Sequence, residues 1–128
     1  MNIEIGGKGY ELNFGMAFIR KLDERHFVDK NGLKFGQGVT IAAVQLQDMN
    51  PTILQDVVEC GLHHVKKDKP SSAAIEEAIV KEVEDKGLKK TCDDFLTTLE
   101  KQPLIADKLK DFKKRSKEQQ KKLEEENQ

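Results

Sequence analysis

Cysteine is scarce. Cys60 and Cys92 are the only two in 128 residues, too few for a disulfide framework, and without an export signal they read as reduced thiols. Long apolar runs are missing too: no stretch approaches the roughly 20 residues that a membrane span needs. The opening Met1-Asn2-Ile3-Glu4-Ile5 lacks the basic start and apolar block of a secretory signal, so a cytoplasmic setting is expected. Nor is there an excess of either charge. The formal net charge is −1, so the molecule as a whole neither seeks nor repels nucleic acid or an anionic membrane. What is present is a polar chain, 37% hydrophobic and 35% charged. One domain is expected at this length, burying about two thirds of its unfolded surface in an economical core.

The first residues alternate. Ile3 and Ile5 point one way and Asn2 and Glu4 the other, Gly6-Gly7-Lys8-Gly9 supplies turn chemistry, and Tyr10, Leu12 and Phe14 resume the pattern. Period two on both sides of a glycine turn predicts a β-hairpin. A lone hairpin is marginal in water, so its apolar face must lie on helices. After Gly15 the period changes, and Met16, Phe18, Ile19 and Leu22 fit a helix. Lys30-Asn31-Gly32 marks a turn and Gly36-Gln37-Gly38 a second, before the apolar run Val39 to Leu46. That run reads as helix, because Ala42-Ala43 breaks up its β-branched residues, although a strand is the alternative. Asn50-Pro51 is a capped helix start, followed to Val65 by apolar residues at helical spacing. Pro70-Ser71-Ser72 opens a helix carrying Ile75, Ala78, Ile79 and Val83, which Gly87 stops. Leu88, Cys92, Phe95, Leu96 and Leu99 make a further stripe, interrupted by Pro103 and continued by Leu104, Ile105, Leu109 and Phe112.

From Lys113 to Gln128 the only apolar residue is Leu123. One leucine cannot offset the entropy of ordering such a segment, although i,i+4 pairs such as Lys114 with Glu118 support a frayed helix. The pattern as a whole predicts an α+β, mostly α, fold: an N-terminal β-hairpin packed on a bundle of about five helices over residues 1–112, with a charged, flexible tail over 113–128.

No catalytic constellation emerges. Gly6-Gly7-Lys8-Gly9 lacks the Lys-Ser or Lys-Thr of a phosphate loop, and Gly32, Gly36 and Gly38 do not complete a dinucleotide fingerprint, so both are read as turns. Cys60 and His64 are four apart, as two ligands on one helix would be, with His63 beside them and Cys92 or His26 as distant candidates. Zinc wants four ligands and no CxxC or HxxxH pair supplies the rest, so a buried thiol and surface histidines are the better reading. Glu76-Glu77, Glu82, Glu84-Asp85 and Asp93-Asp94 are interleaved with Lys81, Lys86, Lys89 and Lys90, which describes a solvated, charge-balanced surface. No enzyme activity, cofactor or metal is therefore expected. The tail carries Lys113, Lys114, Arg115, Lys117, Lys121 and Lys122, nearly balanced by Glu118 and Glu124 to Glu126 and with no aromatic side chain to stack on bases. The alternative reading is a small nucleic-acid-associated or regulatory protein that uses this tail.

The order of the pieces resembles a known family. Ile3-x-Ile5-Gly6-Gly7-Lys8-x-Tyr10-Glu11-Leu12-x-Phe14-Gly15, followed by Phe18-Ile19-Arg20-Lys21-Leu22-Asp23, is similar to the start of the tail assembly chaperones of long-tailed bacteriophages and prophages of Gram-positive hosts. Gly36-Gln37-Gly38-Val39-Thr40 and the two helices after it keep the family's order, over about residues 1–110. The resemblance implies a non-enzymatic protein of the bacterial cytoplasm. Its partners would be the tape measure protein, which it coats during assembly, and the tail tube protein, whose subunits it helps recruit; self-association is a further possibility. Such chaperones are often made in two lengths by ribosomal slippage. Lys113-Lys114 and Lys121-Lys122 are candidate slippery codons, an idea that fails if the gene has no adenine run there or no open overlapping frame. A chaperone of an apolar helical client needs a releasable apolar surface. Leu104, Ile105, Leu109 and Phe112, placed between a proline break and the polar tail, are the candidate partner-binding residues, expected to be incompletely covered; the alternative is that they simply finish the core.

Overall fold

The computed structural model describes residues 1–126. Their order is β1 (Asn2–Ile5), β2 (Lys8–Glu11), α1 (Met16–Arg25), β3 (Phe27–Lys30), β4 (Leu33–Gly36), α2 (Gly38–Gln47), α3 (Pro51–Gly61), α4 (Ser72–Lys86), α5 (Leu88–Glu100) and α6 (Ala106–Glu126). The strands form two separate antiparallel hairpins, β1–β2 and β3–β4. The fold is α+β and mostly α.

In the first hairpin Ile3 faces Tyr10 and Ile5 faces Lys8. The alternation therefore puts Ile3 and Ile5 into the core with Leu12 and Phe14 just beyond the ribbon, while Glu4 and Glu11 stay in water. The hairpin lies on α4, and Phe14 meets Phe18 of α1 edge to face at 5.0 Å. α3 is the central helix, touching α1, α2, α4 and α5. Ile53, Leu54, Val57 and Val58 are all fully buried on it. Its start follows the chemistry of the sequence: Asn50 Oδ1 accepts the Thr52 N–H at 3.1 Å, and Pro51 takes the first position, where an N–H would have no partner. It stops at Gly61, short of the expected Val65, because the Gly61 carbonyl accepts the Asn13 N–H at 2.9 Å. A longer helix would need that carbonyl for Val65, whose N–H turns back to Leu62 instead. Ser71 caps α4 by accepting the Ala74 N–H at 3.1 Å, and Gly87 separates α4 from α5.

The β3–β4 hairpin was not expected; sequence patterning suggests only turns there. Asn31 and Gly32 both have positive φ, 54° and 83°, the pair of left-handed residues that a two-residue hairpin turn of matching twist requires. The base closes with the Gln37 N–H donating to the His26 carbonyl at 3.0 Å. α2 then crosses α1 at a glycine. The Gly38 N–H donates to Asp23 Oδ1 at 2.9 Å, and a Cβ at Gly38 would lie 2.6 Å from the Leu22 carbonyl carbon.

α6 runs without interruption across Phe112, where the sequence places the end of the core. Its first turns pack on α2 and α5. From Lys113 onward every described residue is exposed, and the last two positions of the expected tail, 127 and 128, lie outside the described residues.

Candidate partner-binding surfaces

The four residues singled out at the C-terminal helix do not form one patch. Leu104 is 54% exposed and Phe112 half-buried, whereas Ile105 and Leu109 lie in the core. The expectation that all four are incompletely covered is thus corrected for Ile105 and Leu109. The turn after Pro103 delivers Ile105 inward, and Leu109, four residues on, shares its side and is pressed against α2 and α5.

Four of the exposed large apolar side chains among the described residues are on the hairpin that sequence reasoning missed. All eight residues of β3 and β4 are exposed. Val28 pairs with Phe35 and Lys30 with Leu33, so Val28, Phe35 and Leu33 share one face of the ribbon. Leu33 is 64% exposed and Phe35 48%. Phe27 is on the other face, with the Lys34 ammonium 4.8 Å from its ring centre, and it lines an open cavity with Arg20, Asp23 and Glu24 of α1. One signal was available: Asn-Gly between Phe27-Val28 and Leu33-x-Phe35 is a hairpin signature.

A second surface is a groove of about 500 Å³ between α3 and α4, lined by Pro51, Thr52, Gln55, Asp56, Glu76, Ile79 and Val80. Its lining mixes apolar Pro51, Ile79 and Val80 with the carboxylates of Asp56 and Glu76. Val80 of α4 is 49% exposed.

The polar cluster between these surfaces is an internal clamp. Asp56 of α3 accepts from Arg25 Nη1 at 2.9 Å with one oxygen and meets His26 Nε2 at 2.9 Å with the other, and Glu59 lies 3.6 Å from the same guanidinium. One carboxylate therefore fastens the end of α1 and the root of the β3–β4 hairpin to the central helix. Cys60 is next to this group but buried. Burial pushes its thiol up to about 11, the Asp56, Glu59 and Glu24 carboxylates adding to a rise that Arg25 opposes. Such a thiol is not a nucleophile near neutral pH. Burial raises Cys92 as well. Of the histidines next to Cys60, His64 is exposed, and His63 has its Nε2 buried without a hydrogen-bond partner. Burial, with the neighbouring His64 and Lys66, lowers the His63 pKa. Among the described residues no three His, Cys, Asp or Glu side chains gather in a way that could hold a metal ion. No described helix is long and apolar enough to cross a membrane.

The described residues thus form a small helical domain with an internal polar clamp and an apolar ribbon turned to solvent. A family model described as phage tail assembly chaperone protein matches residues 2–114, and the chain belongs to that family. The match takes in both hairpins and all helices up to the early turns of α6. No curated protein and no solved structure matches the chain.

Proposed function

We propose that this chaperone binds the tape measure protein of its phage during tail assembly and helps recruit tail tube subunits, in the cytoplasm of a Gram-positive host, by contact and without catalysis. The observation that carries the reading is the outward face of the β3–β4 hairpin, where Val28, Leu33 and Phe35 are exposed on a ribbon rooted in a rigid core. Exposed apolar residues grouped on one face of a structured element mark an interaction surface. A ribbon with unpaired edges also suits an apolar or extended client segment. Leu104 and Phe112 are a secondary contact; Ile105 and Leu109 hold α6 in place beneath them.

The test is co-purification with the tape measure protein, followed by affinity measurement on a Leu33→Asp, Phe35→Asp variant. Both positions are exposed, so circular dichroism should be unchanged while affinity falls tenfold or more. Wild-type protein that fails to retain the tape measure protein would remove the client assignment, and a variant that binds like wild type would remove the hairpin from it. A salt titration of the complex separates this reading from binding through the basic tail, because phosphate-driven association falls steeply with salt and apolar contact does not.

A further inference from the structure

We propose that two copies of this chain pair along the free edge of β3, joining their β3–β4 hairpins into one antiparallel sheet about a two-fold axis at Val28. The Gln37 N–H donates to the His26 carbonyl at 3.0 Å, and Phe27 to Lys30 continue that register against Gly36 to Leu33. Bonded and open residue pairs alternate along an antiparallel ladder. Val28 with Phe35 and Lys30 with Leu33 are therefore bonded pairs, and the N–H and C=O groups of Phe27 and Asp29 point away from β4. Neither residue's backbone bonds to any other element among the described residues. β4 is the strand that packs on α1, so β3 lies outermost, and all four of its residues are exposed. The register is regular and β3 holds no proline, so neither a bulge nor a missing N–H blocks the edge.

A second copy satisfies this edge in one register. With the two-fold at Val28, Phe27 faces the partner's Asp29 and Asp29 the partner's Phe27, so every outward N–H finds a carbonyl. Moving the axis to Asp29 leaves Phe27 without a bonded partner and sets two carboxylates face to face. Moving it to Phe27 pairs Asp29 with the partner's Arg25, which belongs to α1. In the register centred on Val28, the two Val28 side chains form an open pair, where side chains approach most closely. On the opposite face the partner's Asp29 comes beside Phe27, and the Lys34 ammonium already lies 4.8 Å from that ring's centre. Asp29 Oδ1 accepts the Gly32 N–H at 3.1 Å, which leaves its second oxygen for this cation. A two-stranded ribbon is marginal by itself and is stabilised by further strands. The patch is self-complementary, so the contact is isologous and stops at the dimer. It sets the Val28, Leu33 and Phe35 faces of both copies side by side on one face of the enlarged sheet.

Val28→Cys tests the register. The Cα atoms of an open pair lie about 4.5 Å apart, within the span of about 4.4–6.8 Å that a disulfide bridges, so mild oxidation should link the protein into dimers. Leu33→Cys, more exposed but on the strand farther from the axis, controls for chance collision and should cross-link about tenfold more slowly. Cys60 and Cys92 are buried and should not contribute. Sedimentation of the wild-type chain from micromolar to millimolar concentration should show the mass rising toward twice the monomer and no further. Val28→Lys, which places two like charges at the axis, should stay monomeric; Val28 is 40% exposed, so circular dichroism should be unchanged. In amide exchange the Phe27 and Asp29 N–H groups should gain protection as concentration rises, while those of Val28 and Lys30 are protected throughout. A wild type that stays monomeric over the whole range, or growth beyond the dimer, overturns the proposal. So does Leu33→Cys cross-linking as fast as Val28→Cys, or Val28→Lys dimerising like wild type. No readout involves a client protein, so the result is independent of the tape measure reading.

Discussion

Truncating Leu109 and Leu104 separately distinguishes the part of the C-terminal region that holds the fold from the part free to meet a partner. Leu109 is 1% exposed and packs where α6 meets α2 and α5. Removing its three outer carbons loses their burial and leaves a cavity that the surrounding helices fill only partly, costing about 2–5 kcal/mol. Domains of this size are stable by about 5–15 kcal/mol, so Leu109→Ala should remove a sizeable fraction. At about 3–5 °C per kcal/mol, the melting temperature should fall by roughly 10 °C. Leu104 is more than half exposed, and Leu104→Ala should stay within about 0.5 kcal/mol of wild type. Urea unfolding followed by circular dichroism measures both. Equal losses for the two leucines, or a Leu109→Ala protein as stable as wild type, would mean that α6 does not pack on the bundle as described.

Gly38→Ala should destabilise by about 1–3 kcal/mol, since the added Cβ meets the Leu22 backbone and neither helix can give way cheaply; a thermal melt that does not move refutes the close crossing. Cys60 and Cys92 should resist alkylation in native buffer at pH 8 and react fully in denaturant, because burial raises both thiols. The folded-state value for Cys60, about 11 against an ordinary 9.0, lies above the unfolded one, so its contribution to stability is intact below pH 9 and is lost as pH rises from 9 to 11. That is about 3 kcal/mol at most, and Cys60→Ala should flatten the alkaline limb of the stability curve. Asp56→Ala should cost about 1–3 kcal/mol by releasing Arg25 and His26 together; Arg25→Ala added to it should then cost little more, a coupling read from a double-mutant cycle.

The helical core was legible because burial imposes a period. Ile53, Leu54, Val57 and Val58 stand at the spacing that a buried helix face requires, and all four are fully buried. Local chemistry at Asn50-Pro51 and Ser71 placed two helix starts correctly. The end of α3 was not legible, since the group that terminates it, the Asn13 N–H, is distant in sequence. The β3–β4 hairpin was hidden for a different reason. Patterning arguments assume that apolar residues seek the core, and the Val28, Leu33 and Phe35 face does not. At the C-terminus the stripe from Leu104 to Phe112 was seen, but sequence alone could not say that the bend after Pro103 turns Ile105 inward and leaves Leu104 outside.

The size of the apolar face bears on how such a chaperone would grip. Burying a large apolar side chain completely contributes about 1.5–3 kcal/mol. Val28, Leu33 and Phe35 are each roughly half buried already, so covering the remainder contributes on the order of 2–4 kcal/mol. Association costs about 4–15 kcal/mol in lost freedom. One hairpin on one client segment is therefore a weak, quickly reversed contact. On the proposed reading, a long client is held only when several copies bind along it and reinforce one another, so that the second contact is made at high effective concentration. Weakening each single contact with Leu33→Asp should then reduce retention of a full-length tape measure protein far more than that of a short segment able to hold one copy. Equal losses for both lengths would show that each copy binds by itself.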